Sequence, residues 1–178
     1  MSDNSDNTGP EDGNGSEAAP DSPATPQTMP GGPFIIRNQY LKDLSFENPN
    51  APEVLVSLKA APSVEVDINL NVNPMPDIDE RTFEVEMRLR VEAKAEEKPA
   101  FICELTYAGL FSIGQVPEDA VRPLLLIECP RMLFPFARAI LGNATRDGGY
   151  PPLMLQPIDF AEFYARNMAP IPEPAGNA

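Results

Sequence analysis

FICELTYAGLFSI, residues 101–113, is the stretch that decides the fold. Its odd positions Phe101, Cys103, Leu105, Tyr107, Phe111 and Ile113 form one apolar row at the two-residue period of a strand. Ile102, Ala108 and Leu110 make the opposite face apolar too, and Glu104 stands among them. An isolated carboxylate is costly to bury. The second face must therefore either carry a partner for Glu104 or stay open to water and be used.

The same period recurs on the N-terminal side. In 64–72, Val64, Val66, Ile68, Leu70 and Val72 alternate without a fault against Glu65, Asp67, Asn69 and Asn71. In 83–95, Phe83, Val85, Met87, Leu89, Val91, Ala93 and Ala95 oppose Glu84, Glu86, Arg88, Arg90, Glu92 and Lys94, a face expected to be wet. Turn chemistry at 73–77 and 96–99 joins these segments to 101–113 as an antiparallel meander. A further strand from Phe34 sets Phe34, Ile36, Tyr40, Leu44 and Phe46 against Arg37, Gln39, Leu41, Asp43, Ser45 and Glu47. Stretch 51–63, with its prolines, reads as a long crossover rather than a tight hairpin.

Beyond Gly114 the period lengthens. Pro117 suits a first helical turn, Glu118 and Asp119 favour its positive end, and Val121, Leu124, Leu125 and Ile127 crowd one side. Pro123 and Pro130 are expected to interrupt or kink this helix. Met132, Leu133, Phe136, Ala139 and Ile140 continue the stripe to Leu141, with an end expected near Gly142 or at Gly148 and Gly149. Asp159 is placed to cap a short helix from Phe160 to Met168 that carries Phe160, Phe163 and Tyr164 on one face. The fold class is α+β: a four-stranded antiparallel sheet, then a long kinked helix and a short C-terminal helix.

The chain of 178 residues suits one domain with tails. Residues 1–33 hold six acids and six prolines with no Lys or Arg, the composition of a disordered acidic tail. A single folded domain is expected over 34–169 and a flexible tail over 170–178. With Lys+Arg 13 against Asp+Glu 27, the net charge of -14 repels nucleic-acid phosphates and anionic membranes, so partners should be neutral or basic. No apolar run approaches the roughly 20 residues of a membrane span, and the N-terminus has neither a basic start nor a hydrophobic stretch for export. The expected location is the cytoplasm.

Histidine is absent from the chain, which excludes imidazole base catalysis, Ser-His-Asp triads and histidine metal sites. Cys103 and Cys129 fit no metal or redox spacing and read as buried thiols. Residues 109–114 lack the lysine and glycine spacing of a phosphate loop. No cofactor and no metal is expected. Interaction surfaces remain. If the first and fourth strands share a sheet, Asp43 and Glu47 join Glu104 and Ile102 in an acidic patch with a hydrophobic contact in it.

Four motifs, LKDLSFENPNAP (41–52), AFICELTYAGLFSI (100–113), ECPRMLFPFAR (128–138) and GGYPPLMLQPIDF (148–160), together and in this order resemble the SecB family of bacterial protein-export chaperones. The resemblance implies an ATP-independent holdase that keeps unfolded precursor proteins translocation-competent and delivers them to the SecA export motor. It implies a homotetramer, a dimer of dimers, with sheets paired across subunits and the long helices packed between them. Carried over by position, Asp43, Glu47, Ile102 and Glu104 would dock SecA, including its basic zinc-bearing C-terminal segment. Phe46, Val64, Val66 and Ile68 would line a client groove, with Phe160, Phe163 and Tyr164 on its helical lid. Cys103, Leu105 and Tyr107 match positions linked to tetramer formation, Tyr107 replacing a frequent glutamine. Two alternatives stay open: a SecB-like chaperone for a dedicated client such as a toxin-antitoxin pair, and a carboxylate-dependent enzyme, which the missing histidines disfavour.

Overall fold

In the computed structural model, which describes residues 32–96 and 98–167, the alternating segments are strands β1 (Phe34–Glu47), β2 (Ser63–Pro74), β3 (Thr82–Ala95) and β4 (Lys98–Ile113). The sheet order is β1-β4-β3-β2, and each neighbouring pair is antiparallel. β2, β3 and β4 form the expected meander. The crossover carries β1 to the far edge, beside β4, so the strand that is apolar on both faces is internal. Within that crossover lies a short helix the prolines concealed, α1 (Glu53–Ser57), anchored by buried Val54. The tail readings for residues 1–31 and 170–178 lie outside the described residues.

All the remaining helical structure follows β4. Helix α2 (Glu118–Pro123) leads into a π-helical turn (Leu124–Glu128) and then α3 (Cys129–Asp147). Pro123 and Pro130 remove two N–H donors, and the chain answers by widening rather than breaking: the Cys129 N–H donates to the Leu124 carbonyl. Leu126, Cys129, Leu133, Ala137 and Leu141 recur at three- and four-residue spacing and are buried against the inner face of β3 and β4, where Val85, Met87, Leu89, Val91, Cys103 and Leu105 meet them. Burying one such leucine is worth about 2 kcal/mol.

Two glycines set how closely the layers approach. At Gly109 a Cβ would stand 2.6 Å from the Phe111 ring and 2.9 Å from Leu133 Cδ2, so the bare backbone lets α3 settle onto β4. Gly142 does not end α3, which runs on to Asp147. Its missing side chain instead admits the returning segment, since a Cβ there would lie 3.3 Å from Met154 Sδ. Buried Thr145 pins the same segment by accepting from the Leu153 N–H at 2.9 Å while donating to the Leu141 carbonyl at 3.1 Å. Asp159 caps α4 (Phe160–Asn167) as expected, accepting from the N–H groups of Ala161 and Glu162 at 2.9 and 3.1 Å.

The faces of β1 differ from the simple alternation. Register shifts fall between Ile36 and Asn38 and again between Leu41 and Asp43. Between them the phase is inverted: Tyr40 lies opposite Ala108 on the outer face, and Leu41 opposite Tyr107 on the inner one. The second bulge restores the phase, so Leu44 and Phe46 point inward while Asp43, Ser45 and Glu47 point outward. The outer face of β3 is also not uniformly wet, because Glu84 and Glu86 are buried on it.

Candidate functional site

On the outer face the register sets four expected residues side by side. Glu47 pairs with Ile102, Ser45 with Glu104 and Asp43 with Thr106, all in one β1-β4 ladder. Directly opposed residues in such a ladder have Cβ atoms about 5 Å apart. Asp43, Glu47, Ile102 and Glu104 therefore form one compact patch. No helix among the described residues packs on it. Glu104 is half exposed and accepts a hydrogen bond from Arg90 on β3, which also lies 3.8 Å from Glu92. The partner that Glu104 requires is thus a solvated cation, and the patch stays accessible. Beside it is a depression of about 680 Å³ bordered by Asp43, Asp67, Arg88, Arg90, Glu104 and Thr106.

Next to this patch lies a cluster the alternation did not reveal. Tyr40 and Lys42 of β1 both reach across β4 to β3, Tyr40 donating to Glu84. The Lys42 ammonium lies 2.8 Å from Glu84 Oε1 and 2.5 Å from Glu86 Oε1. Asn73 of β2 donates to Glu84 at 3.0 Å. Burial pushes the Glu84 carboxyl up, but the bonds from Lys42, Tyr40 and Asn73 outweigh it and hold the group at about 2. Lys42 holds Glu86 below the usual carboxylate range against the effect of burial. Burial and then Glu84 push the Tyr40 phenol up to about 12. Two signals in the sequence bear on this cluster: small Ala108 beneath the crossing side chains, and the outward Asn71 and Asn73, which face the outward Glu86 and Glu84.

The inner-face residues separate into two groups. Val64, Val66 and Ile68 lie on the inner face of edge strand β2, with Val64 and Val66 exposed and Ile68 half-buried. Phe46 shares a register row with Val66, through Cys103 and Val91, but stands at the opposite edge of the sheet. Its ring stacks on Phe101 at 5.4 Å, and a Cβ on Gly148 would come within 2.3 Å of it. Phe46 thus closes the end of the core where the crossover begins rather than joining the β2 row. Near this end, a cavity of about 530 Å³ lies under α1, lined in part by Val54, Leu58, Ala60, Ala61 and Ala95. On α4, Phe160 is buried against Phe134 at 5.9 Å and anchors the helix, while Phe163 and Tyr164 are half-buried.

Cys103, Leu105 and Tyr107 lie beneath the chain's own helices. Burial, and then the neighbouring Glu104 charge, push the Cys103 thiol up to about 11. Tyr107 stacks at 6.0 Å on Phe136, whose other side is exposed together with Met132 one helical turn away. Among the described residues there is no group of three or more His, Cys, Asp or Glu placed to hold a metal, and no helix is long and apolar enough to cross a membrane.

Four antiparallel strands with helices on one face and an open, charged second face define an α+β protein of the SecB-like chaperone fold. A SecB-like chaperone of Mycobacterium tuberculosis, solved with a peptide from an antitoxin, aligns over 70% of this chain and 90% of its own with a TM-score of 0.59 at 16% identity. The family model described as preprotein translocase subunit SecB matches residues 27–170. Protein-export protein SecB of Afipia carboxidovorans is 50% identical over 75% of this chain and 81% of its own length. Its counterpart in Parvibaculum lavamentivorans is 43% identical over 100% of this chain and 98% of its own. The chain belongs to the SecB family and is a protein-export chaperone.

Proposed function

We propose that this chaperone is an ATP-independent holdase of the cytoplasm that binds unfolded precursor proteins and passes them to SecA. The observation that carries the reading is the convergence of Asp43, Glu47 and Glu104 around Ile102 on a sheet face that no described helix covers. Three carboxylates about an apolar contact suit a basic segment, such as the zinc-bearing C-terminal segment of SecA, and charge complementarity of this kind chiefly speeds and orients docking.

Clients are held by area rather than by chemistry. Val64, Val66 and Ile68 along the free edge of β2, with Phe163 and Tyr164 on α4, supply the apolar contact surface of the groove. Burying about 1,000 Å² of apolar client surface yields roughly 25 kcal/mol gross, most of it offset by ordering the client and by association entropy. A homotetramer, a dimer of dimers, multiplies the grooves, so that weak contacts act at high effective concentration and release one at a time. Exposed Leu41, Leu44, Met132 and Phe136, on β1 and the outer side of α3, support that assembly as an apolar face awaiting a second copy. Cys103, Leu105 and Tyr107 serve it from below by seating α3. The described residues carry their acids on solvated faces or in a closed ion cluster, which supports a binding role rather than catalysis.

The test is charge reversal. Asp43→Lys with Glu47→Lys should weaken SecA binding at least tenfold while leaving the affinity for an unfolded precursor unchanged. Unchanged SecA affinity would contradict the docking assignment.

A further inference from the structure

The acidic patch exists only because β1 changes phase at the right place. Lys42 is the residue inserted by the second bulge: Leu41 pairs with Tyr107 and Asp43 with Thr106, which leaves Lys42 without a β4 partner. An inserted residue is left unpaired, disrupts the ladder locally and bends the strand, so its side-chain contacts help to set the local geometry. Here those contacts are long-range. β3 lies two strand spacings from β1, about 10 Å away, and the Lys42 side chain crosses β4 to meet Glu84 at 2.8 and 2.9 Å and Glu86 at 2.5 Å. Both carboxylates are almost withdrawn from water, with side chains 10% and 3% exposed. Their remaining partners are Tyr40, Asn73, Asn71 and Arg88, so they are held from β1, β2 and β3 together.

We propose that Lys42 is a positioning residue for SecA docking: its clasp on Glu84 and Glu86 across β4 fixes the bulge that turns Asp43 and Glu47 onto the face of Ile102 and Glu104. The inference rests on the docking assignment above and deepens it. The clasp has a second effect, because a lysine next in sequence to Asp43 is engaged on β3 instead of neutralising the acid that follows it. Phe46, half-buried and stacked on Phe101, still favours the inward phase, so Lys42 sharpens the geometry of the patch rather than creating the strand.

Positioning and simple charge predict opposite signs. Lys42→Met makes the outer face more negative, which by Coulomb attraction alone would tighten a basic partner. Loss of positioning should instead weaken SecA binding about fivefold, a coupling of about 1 kcal/mol. SecA affinity is therefore measured for the full-length protein carrying Lys42→Met or Lys42→Arg, alone and with Asp43→Lys and Glu47→Lys, alongside affinity for an unfolded precursor and amide exchange at 40–44. The expected result is weaker SecA binding and faster exchange at the bulge in Lys42→Met, substantial rescue in Lys42→Arg, unchanged precursor binding, and little further loss once the two acids are reversed. Equal or tighter SecA binding by Lys42→Met overturns the inference. If the acid reversals themselves leave SecA binding intact, the docking assignment fails instead, and the inference with it. Where Lys42→Met does not fold, Lys42→Gln carries the same comparison, because it too removes the cation while keeping a polar side chain beside the carboxylates: lowered SecA affinity with kept precursor affinity supports the clasp, and SecA affinity kept or raised refutes it.

Discussion

Gly109→Ala probes the contact on which the α3 layer rests. The residue sits mid-strand without positive φ, so alanine is free to adopt its backbone, and in an open site the change would stabilise by about 0.4–1 kcal/mol through the unfolded chain. The site is not open. The new methyl would meet the Phe111 ring at 2.6 Å and Leu133 Cδ2 at 2.9 Å. Phe111 and Leu133 are both fully buried, so neither ring nor leucine has space into which to retreat. Overpacking of this kind costs about 1–3 kcal/mol, which leaves a net loss of about 1–2 kcal/mol. For a chain of this size that lowers Tm by roughly 2–8 °C. Thermal unfolding followed by circular dichroism reads it, at one fixed protein concentration because the proposed assembly would contribute to stability. In a Leu133→Ala background the added cost should shrink, since one of the two obstructing side chains is gone. A Tm that stays level or rises in Gly109→Ala, or an undiminished penalty beside Leu133→Ala, would refute the packing argument.

Stability should fall in acid through the ion cluster. Glu84 is held at about 2 against an ordinary 4.5, so its contribution is full above about 4.5 and is lost as pH falls toward 2. Glu84→Gln should flatten the denaturation midpoint across that window, and an unaltered slope would remove Glu84 from the cause. On the client side, Phe163→Ala with Tyr164→Ala should weaken retention of an unfolded precursor while sparing SecA binding, because Phe160, the buried anchor of α4, is kept. Unchanged retention in a pull-down would exclude α4 from the groove.

Much of this architecture was legible in the order of side chains. Strand β2 alternates so regularly that its faces and its place in the meander follow at once, and Asp159 marked the start of α4. Asp43 and Glu47 were assigned to the correct face of β1 only because two bulges cancel. Between those bulges Tyr40 and Leu41 exchange faces, and neither Arg37 nor Lys42 is a residue type that announces a bulge. Burial of Glu84 and Glu86 was hidden for a related reason: their partner Lys42 reaches them over an intervening strand, a contact that local periodicity does not contain. The prolines around the crossover concealed α1. Gly142 offered a false helix end, since its small size serves the neighbouring Met154 rather than a turn. The acidic patch was visible as a pattern of acids, but the docking role proposed for it came from four ordered motifs and not from charge alone.

Calorimetric titration with one secretory precursor, presented both unfolded and folded and without nucleotide, addresses the central claim most directly. Capture by apolar area predicts binding of the unfolded form with a negative heat-capacity change and no measurable binding of the folded form. Indifference to the unfolded precursor, or equal affinity for the two forms, would contradict it.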